Sequence, residues 1–155
     1  MHATRKLWTW LAAICVLSFA VLGWVGTEIY VKAPPIPQQV VSTKGDVLFT
    51  AEQIQRGQEV WLSSGGQQLG SVWGHGSYVA PDWTADWLHR EVTFILDRWA
   101  TADFGAEYSK LDGEKQGQLQ GRLAKEMRTN TYDPGTRAVS ISPIRAESFR
   151  ANLKH

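Results

Sequence analysis

Among the 155 residues of this sequence, those best suited to chemistry lie between Gly65 and Glu91, in GGQQLGSVWGHGSYVAPDWTADWLHRE. The stretch interleaves Gly65, Gly66, Gly70, Gly74 and Gly76 with Trp73, Trp83 and Trp87, and it holds His75, Tyr78 and His89. Glycine weakens a helix and tryptophan needs a large surface to bury itself against, so this is neither a solvated linker nor an ordinary core helix. The glycines free the backbone to approach a flat or charged ligand, with carbonyls and amides in place of side chains. His75 and His89 fit no zinc spacing and no carboxylate cluster stands beside them, so they read as structural. Tyr78 reads either as a ligand or as a buried ring with a satisfied hydroxyl, the second being the commoner fate. Nucleophile signatures, a P-loop and a dinucleotide fingerprint are missing, and no catalytic constellation emerges.

Composition narrows the field further. Sixteen basic and fifteen acidic residues leave a formal charge of +1, too little to recruit nucleic acid or steer acidic substrates. The one cysteine, Cys15, lies inside a long apolar run. A disulfide framework within the chain and a thiolate metal cluster are therefore excluded, and any metal would need oxygen or nitrogen ligands. The length suits one domain plus a membrane anchor.

The elements that must position the central stretch can be read in order. Leu7 to Tyr30 carries no charge before Glu28, enough to span a hydrocarbon core of about 30 Å as a helix. A cleaved signal peptide would be shorter, and Trp24 and Tyr30 resemble an interfacial belt. Arg5 and Lys6 before the run place the N-terminus in the cytoplasm and the rest outside it. The prolines of Ala33–Gln39 end the helix in a stiff spacer. A short strand is predicted at Asp46–Phe49 with Lys44-Gly45 as its turn. Thr50 and Gln53 form a capping box for a helix from Ala51 to about Ser63, whose Gly57 would let another helix approach beside Ile54 and Trp61. Asp82 or Thr84 caps a second helix with an apolar stripe of Leu88, Val92, Ile95, Leu96 and Trp99, Glu91 lying off it; Trp83 and Trp87 make an aromatic patch near its start. A third spans Asp112 to about Arg128, with Leu119, Leu123 and Met127 on one face and Gly113, Gly117 and Gly121 permitting close packing on another. Thr129–Ser142 reads as a β-hairpin about Asp133-Pro134-Gly135, and a last helix starts at Pro143 and stops with the sequence.

The run GQEVWLSSGGQQLGSVWGHGSYVAPDWTADWLHRE resembles the N-terminal extracytoplasmic part of quinol-dependent nitric oxide reductases, relatives of the haem-copper oxidases. The preceding apolar helix and the later NTYDP segment fit the same likeness, which covers nearly the whole chain. Cytochrome-c-dependent relatives have a separate small subunit with a membrane helix and a haem-c domain, where a similar glycine-x-tyrosine-x-alanine-proline segment follows a CxxCH. Gly76, Tyr78, Ala80 and Pro81 match that segment, and counting back places the haem-attachment positions at Gly66, Gln67, Gln68, Leu69 and Gly70. Covalent haem needs two cysteines and an axial ligand, and here Gly66, Leu69 and Gly70 replace them. The resemblance thus implies a haem-free cytochrome-c-like shell, with Gln67, Gln68 and Trp73 filling the space of the porphyrin. It also implies that Gly76 and Tyr78 contact the haem-propionate region of a catalytic core, or a calcium ion there, since calcium accepts backbone carbonyls.

The expected fold class is mainly α: one transmembrane helix, then a small cytochrome-c-like helical domain with a short β-hairpin. The expected divisions are 1–32 for the cytoplasmic N-terminus and membrane helix, 33–49 for an extracytoplasmic spacer and 50–155 for the haem-free domain, continuing beyond His155. By resemblance the chain is part of a bacterial inner-membrane enzyme that reduces two NO to N2O with membrane quinol, in denitrification or NO detoxification. The fragment alone is expected to be inactive and to bind no cofactor. Its partner would be a multi-helix core holding b-type haems and non-haem iron, with calcium at the interface; no nucleic acid is expected. The alternative is a single-pass, membrane-anchored extracytoplasmic module that binds a ligand or partner and has no enzymatic role.

Overall fold

The computed structural model describes residues 2–155 and divides into two units, Met1–Ile36 and Pro37–His155. The first is helix α1 (His2–Lys32). Its Thr4–Lys32 portion contains an 18-residue stretch with a mean hydropathy of 2.0 and is, among the described residues, the one helix long and apolar enough to cross a membrane. Trp8, Leu17, Phe19 and Trp24 all stand exposed on it. The hydroxyls of Thr9 and Thr27 donate to the carbonyls of Arg5 and Gly23, each at 2.9 Å, which satisfies them inside the helix as a lipid environment would require. The helix ends at Lys32, just ahead of Pro34 and Pro35.

The second unit opens with β1 (Gln39–Ser42) and β2 (Val47–Thr50), followed by α2 (Ala51–Ser63). One helical turn, α3 (Gly66–Leu69), and two short strands, β3 (Ser71–Val72) and β4 (His75–Gly76), then lead into α4 (Trp83–Phe104). After it come α5 (Gly113–Arg128), β5 (Tyr132–Asp133), β6 (Ala138–Ile141) and α6 (Pro143–Asn152). Local chemistry sets the helix starts. Thr50 Oγ1 accepts from the Gln53 amide while Gln53 Oε1 accepts from the Thr50 amide, a reciprocal box that satisfies two otherwise orphan donors. Asp82, Asp112 and Ser142 cap α4, α5 and α6 in the same sense, each side chain satisfying an otherwise orphan amide of the first turn.

The chain is mainly helical, as expected, but its sheet is larger than the single predicted hairpin. Four strands run in the order β2-β1-β6-β5. The predicted hairpin is its β5–β6 edge, and β1 pairs in parallel with β6, Gln39 opposite Ala138 through Ser42 opposite Ile141. Strand β1 therefore lies in the stretch read as spacer, and the folded unit begins at Pro37. Helix α6 ends at Asn152, three residues ahead of His155.

The predicted stripe of α4 builds the core. Ile95, Leu96, Trp99 and Ala100 are buried with Leu119 of α5, and Val92, Phe104, Tyr108 and Leu123 pack around them. Burial of such side chains contributes roughly 1.5–3 kcal/mol each. The Arg122 guanidinium lies 4.1 Å from the centroid of the Trp99 ring, closing the core with a cation–π contact. Two expectations fail here. Nothing lies within 4 Å of a side chain built at Gly57, Gly113, Gly117 or Gly121, so these glycines mark open helix surface, not close helix approach. Glu91, placed off the stripe, lies at its edge one turn before Ile95 and is buried, with the Nε–H of Arg145 on α6 donating to its carboxylate at 2.8 Å.

Candidate functional site

The glycine–tryptophan stretch folds as a hairpin pinned to the first turn of α4. Strands β3 and β4 pair Ser71 with Gly76 and Val72 with His75, leaving Trp73 and Gly74 as the two turn residues. Both have positive φ, 54° and 74°, as a type I′ hairpin turn requires. The pin is Asp82. Its Oδ1 accepts from the Ala85 amide at 3.0 Å and so caps α4, while its Oδ2 accepts from the Ser71 hydroxyl at 2.8 Å and from the Gly74 amide at 2.7 Å. Thr84 adds a fourth bond, its Oγ1 accepting from the Trp73 amide at 3.1 Å. The Ala85 amide first, then the Ser71 hydroxyl and the Gly74 amide, hold the Asp82 carboxyl below the usual carboxylate range, because each stabilises the ionised form.

Glycine is required at three points of this loop. At Gly76, φ is 141° and a side-chain carbon would stand 2.4 Å from the Gly70 carbonyl oxygen. At Gly70 the Trp83 indole and the Pro81 carbonyl occupy that space, and at Gly66 the Trp61 indole does. These two tryptophans therefore take the space against the glycines that was expected for Gln67, Gln68 and Trp73. All three of the latter are exposed instead, as is Leu69.

Of the predicted site residues, Gly76 and Tyr78 are together on this loop. Tyr78 is 102 % exposed and Val79 98 %, so the expectation of a buried tyrosine ring fails. His75 and His89 are exposed as well, and among the described residues no group of three His, Cys, Asp or Glu side chains could hold a metal ion. The loop belongs to a segment rich in exposed apolar side chains. Val60, Leu62, Leu69, Trp73, Tyr78, Val79 and Trp83 are exposed between residues 60 and 83, whereas Val47 and Leu153 are the other large hydrophobics exposed in this unit.

Two features lie beyond the reach of the sequence pattern. The second carboxylate oxygen of Asp82 grips a strand eleven residues upstream, and a capping aspartate gives no sign of that. An aromatic cleft of about 330 Å³ lies between sheet and helices, lined by Phe49, Trp87 and Phe149 with the Glu91–Arg145 pair at its side. Its ring centroids are 5.3 Å apart for Phe49–Phe149 and 5.7 Å for Trp87–Phe149. Of these three, Trp87 alone belongs to the aromatic patch read from the sequence.

Architecture and site define a class: a small helical domain with a mixed sheet, following a helix fit to cross a membrane and presenting a glycine-built apolar loop. The family described as the NorB cytochrome c-like domain of nitric oxide reductase matches residues 37–155. The chain belongs to that family. No curated protein matches the sequence. Family membership, with α1, makes the chain part of a membrane protein and of a larger subunit.

Proposed function

We propose that this chain is the N-terminal part of a quinol-oxidising nitric oxide reductase of the bacterial inner membrane, serving as an extracytoplasmic cap over the haem-bearing catalytic core. The carrying observation is the family match over the whole second unit, to which the concentration of exposed apolar side chains between residues 60 and 83 adds a surface suited to burial. Such patches mark interaction sites. In this reading the core reduces two NO to N2O, and the present residues anchor and cover it. Gly76 and Tyr78 would face the haem-propionate region of the core. A calcium ion there could take their backbone carbonyls, its remaining oxygen ligands coming from outside this chain.

The residues do not fit a covalently held haem. The attachment positions carry Gly66, Leu69 and Gly70, and Cys15 lies in α1. Electrons would then reach the core from membrane quinol without passing through this domain. The test is made on the purified full-length subunit. Expected are b-type haem absorbance, no covalent haem on a denaturing gel, and NO consumption driven by a reduced quinol but not by reduced cytochrome c. A covalent haem band, or turnover with cytochrome c alone, would overturn the reading. The alternative of an anchored ligand-binding module rests on the same exposed aromatics and would gain if the subunit held no haem at all.

A further inference from the structure

We infer that Asp82 is a positioning residue: its carboxylate and the Thr84 hydroxyl hold the Ser71–Gly76 hairpin so that Tyr78 and Val79 stand out as a fixed peg for the catalytic core. The inference rests on the capping role proposed above and adds to it how this loop keeps its shape. Tyr78 and Val79 are almost wholly exposed, so burial of their own side chains cannot order the loop. What orders it is polar. Ser71 and Gly74 donate to Asp82 Oδ2, Trp73 donates to Thr84 Oγ1, and the Ser71 amide donates to the Pro81 carbonyl at 3.0 Å. The Ser77 amide donates to the Gly70 carbonyl at 3.3 Å, closing the loop beyond the hairpin.

Backbone strain points the same way. Trp73 holds a φ of 54°, a left-handed conformation that side chains other than glycine adopt only when their surroundings over-determine it. Here the surroundings are the hydrogen bonds that the Trp73 and Gly74 amides, in the turn itself, donate to Thr84 Oγ1 and Asp82 Oδ2. A loop ordered before docking loses less conformational entropy on docking, which is how such ordering raises affinity. Asp82 thus joins two tasks in one carboxylate: Oδ1 starts helix α4 and Oδ2 sets the peg relative to that helix.

The experiment uses the full-length subunit in membranes, with Tyr78 replaced by the photo-crosslinking aromatic analogue benzoylphenylalanine. In the otherwise unaltered protein, light should join position 78 to the membrane-embedded core. Asp82→Asn keeps an oxygen for the Ala85 amide but sets an NH2 group against the Gly74 donor. Ser71→Ala removes one donor and leaves the helix cap untouched. Each should lower the crosslink yield, Asp82→Asn by about fivefold or more given the loss of charge-assisted bonds. Asp112→Asn, the same change at the cap of α5, should leave the yield unchanged, which a general loss of stability would not. Amide exchange should quicken at Trp73 and Gly74 in Asp82→Asn while Ile95 in α4 stays protected; should α4 itself open, Ser71→Ala decides. Equal yields in the parent, Asp82→Asn and Ser71→Ala would overturn the positioning role while leaving the cap in place. No crosslink in the parent would overturn the capping reading and the positioning role with it.

Discussion

Glu91 and Arg145 show how one ion pair can decide the fate of a side chain. The Glu91 side chain is 8 % exposed and that of Arg145 24 %, and a carboxylate so placed needs its partner, because a buried charge left unpaired costs several kcal/mol. Arg145→Met should therefore destabilise the folded unit by about 3 kcal/mol, the cost of breaking a buried pair from one side. Replacing both residues, Glu91→Leu with Arg145→Met, should recover most of that loss, since the cleft walls of Phe49, Trp87 and Phe149 are already apolar. Denaturant unfolding of the two variants checks this; a double variant as weak as the single one would show that the pair itself is needed. Glu91 was not legible as buried in the sequence. Its partner lies 54 residues away, and helical periodicity puts Glu91 at the edge of the apolar stripe, one turn before Ile95, without showing what covers it.

At the scale of elements, what was legible was local. The capping box at Thr50, the cap of α4 at Asp82 or Thr84 and the start of α5 at Asp112 rest on bonds that span three residues, and Pro143 marks the start of α6 by its fixed φ. The core stripe of α4 was legible because periodicity records it. Strand β1 was not, since QVVS is too short to carry an alternation and one of its two partners, β6, lies about a hundred residues on. The glycines were half legible. Their number signalled an unusual backbone, but type and spacing alone cannot separate a glycine that a neighbour crowds from one that faces open space. That difference is measurable. Gly117→Ala in α5 should raise stability by about 0.5–1 kcal/mol, because nothing opposes the added carbon and alanine favours the helix. Gly76→Ala should lower it, because both its φ and the Gly70 carbonyl exclude a side chain. Paired thermal melts would show shifts of opposite sign; a rise for both would mean that the hairpin is looser than its hydrogen bonds imply.

Taken as a whole, the second unit keeps its core on α4 and α5 and its apolar exposure on residues 60–83. Three carboxylates at turns and caps contribute to its response to acid. Asp82, Asp112 and Asp133 are all held below their ordinary range: Asp82 chiefly by the Ala85 amide, Asp112 chiefly by the Lys115 side chain, Asp133 chiefly by the Thr136 hydroxyl. A lowered folded-state value means that the folded form binds fewer protons than the unfolded one. Their contribution is therefore complete above the unfolded value of about 3.9 and is lost as pH falls through the folded values. Stability attributable to these three should be flat from about pH 5 to pH 8 and fall below about pH 4. Replacing all three with asparagine should flatten that acid limb, as read from unfolding midpoints across pH; an unchanged limb would assign acid sensitivity to other groups.

The parallel pairing of β1 with β6 also has a meaning in time. A ribosome delivers Gln39–Ser42 long before Ala138–Ile141, and β2 can cover only one side of β1 in the interval. Hairpins and helices close within microseconds, whereas a pairing across so long a loop waits for the chain between to be made. The sheet thus closes only near the end of the unit's synthesis, with α6 alone to follow, and β1 keeps one open edge until then.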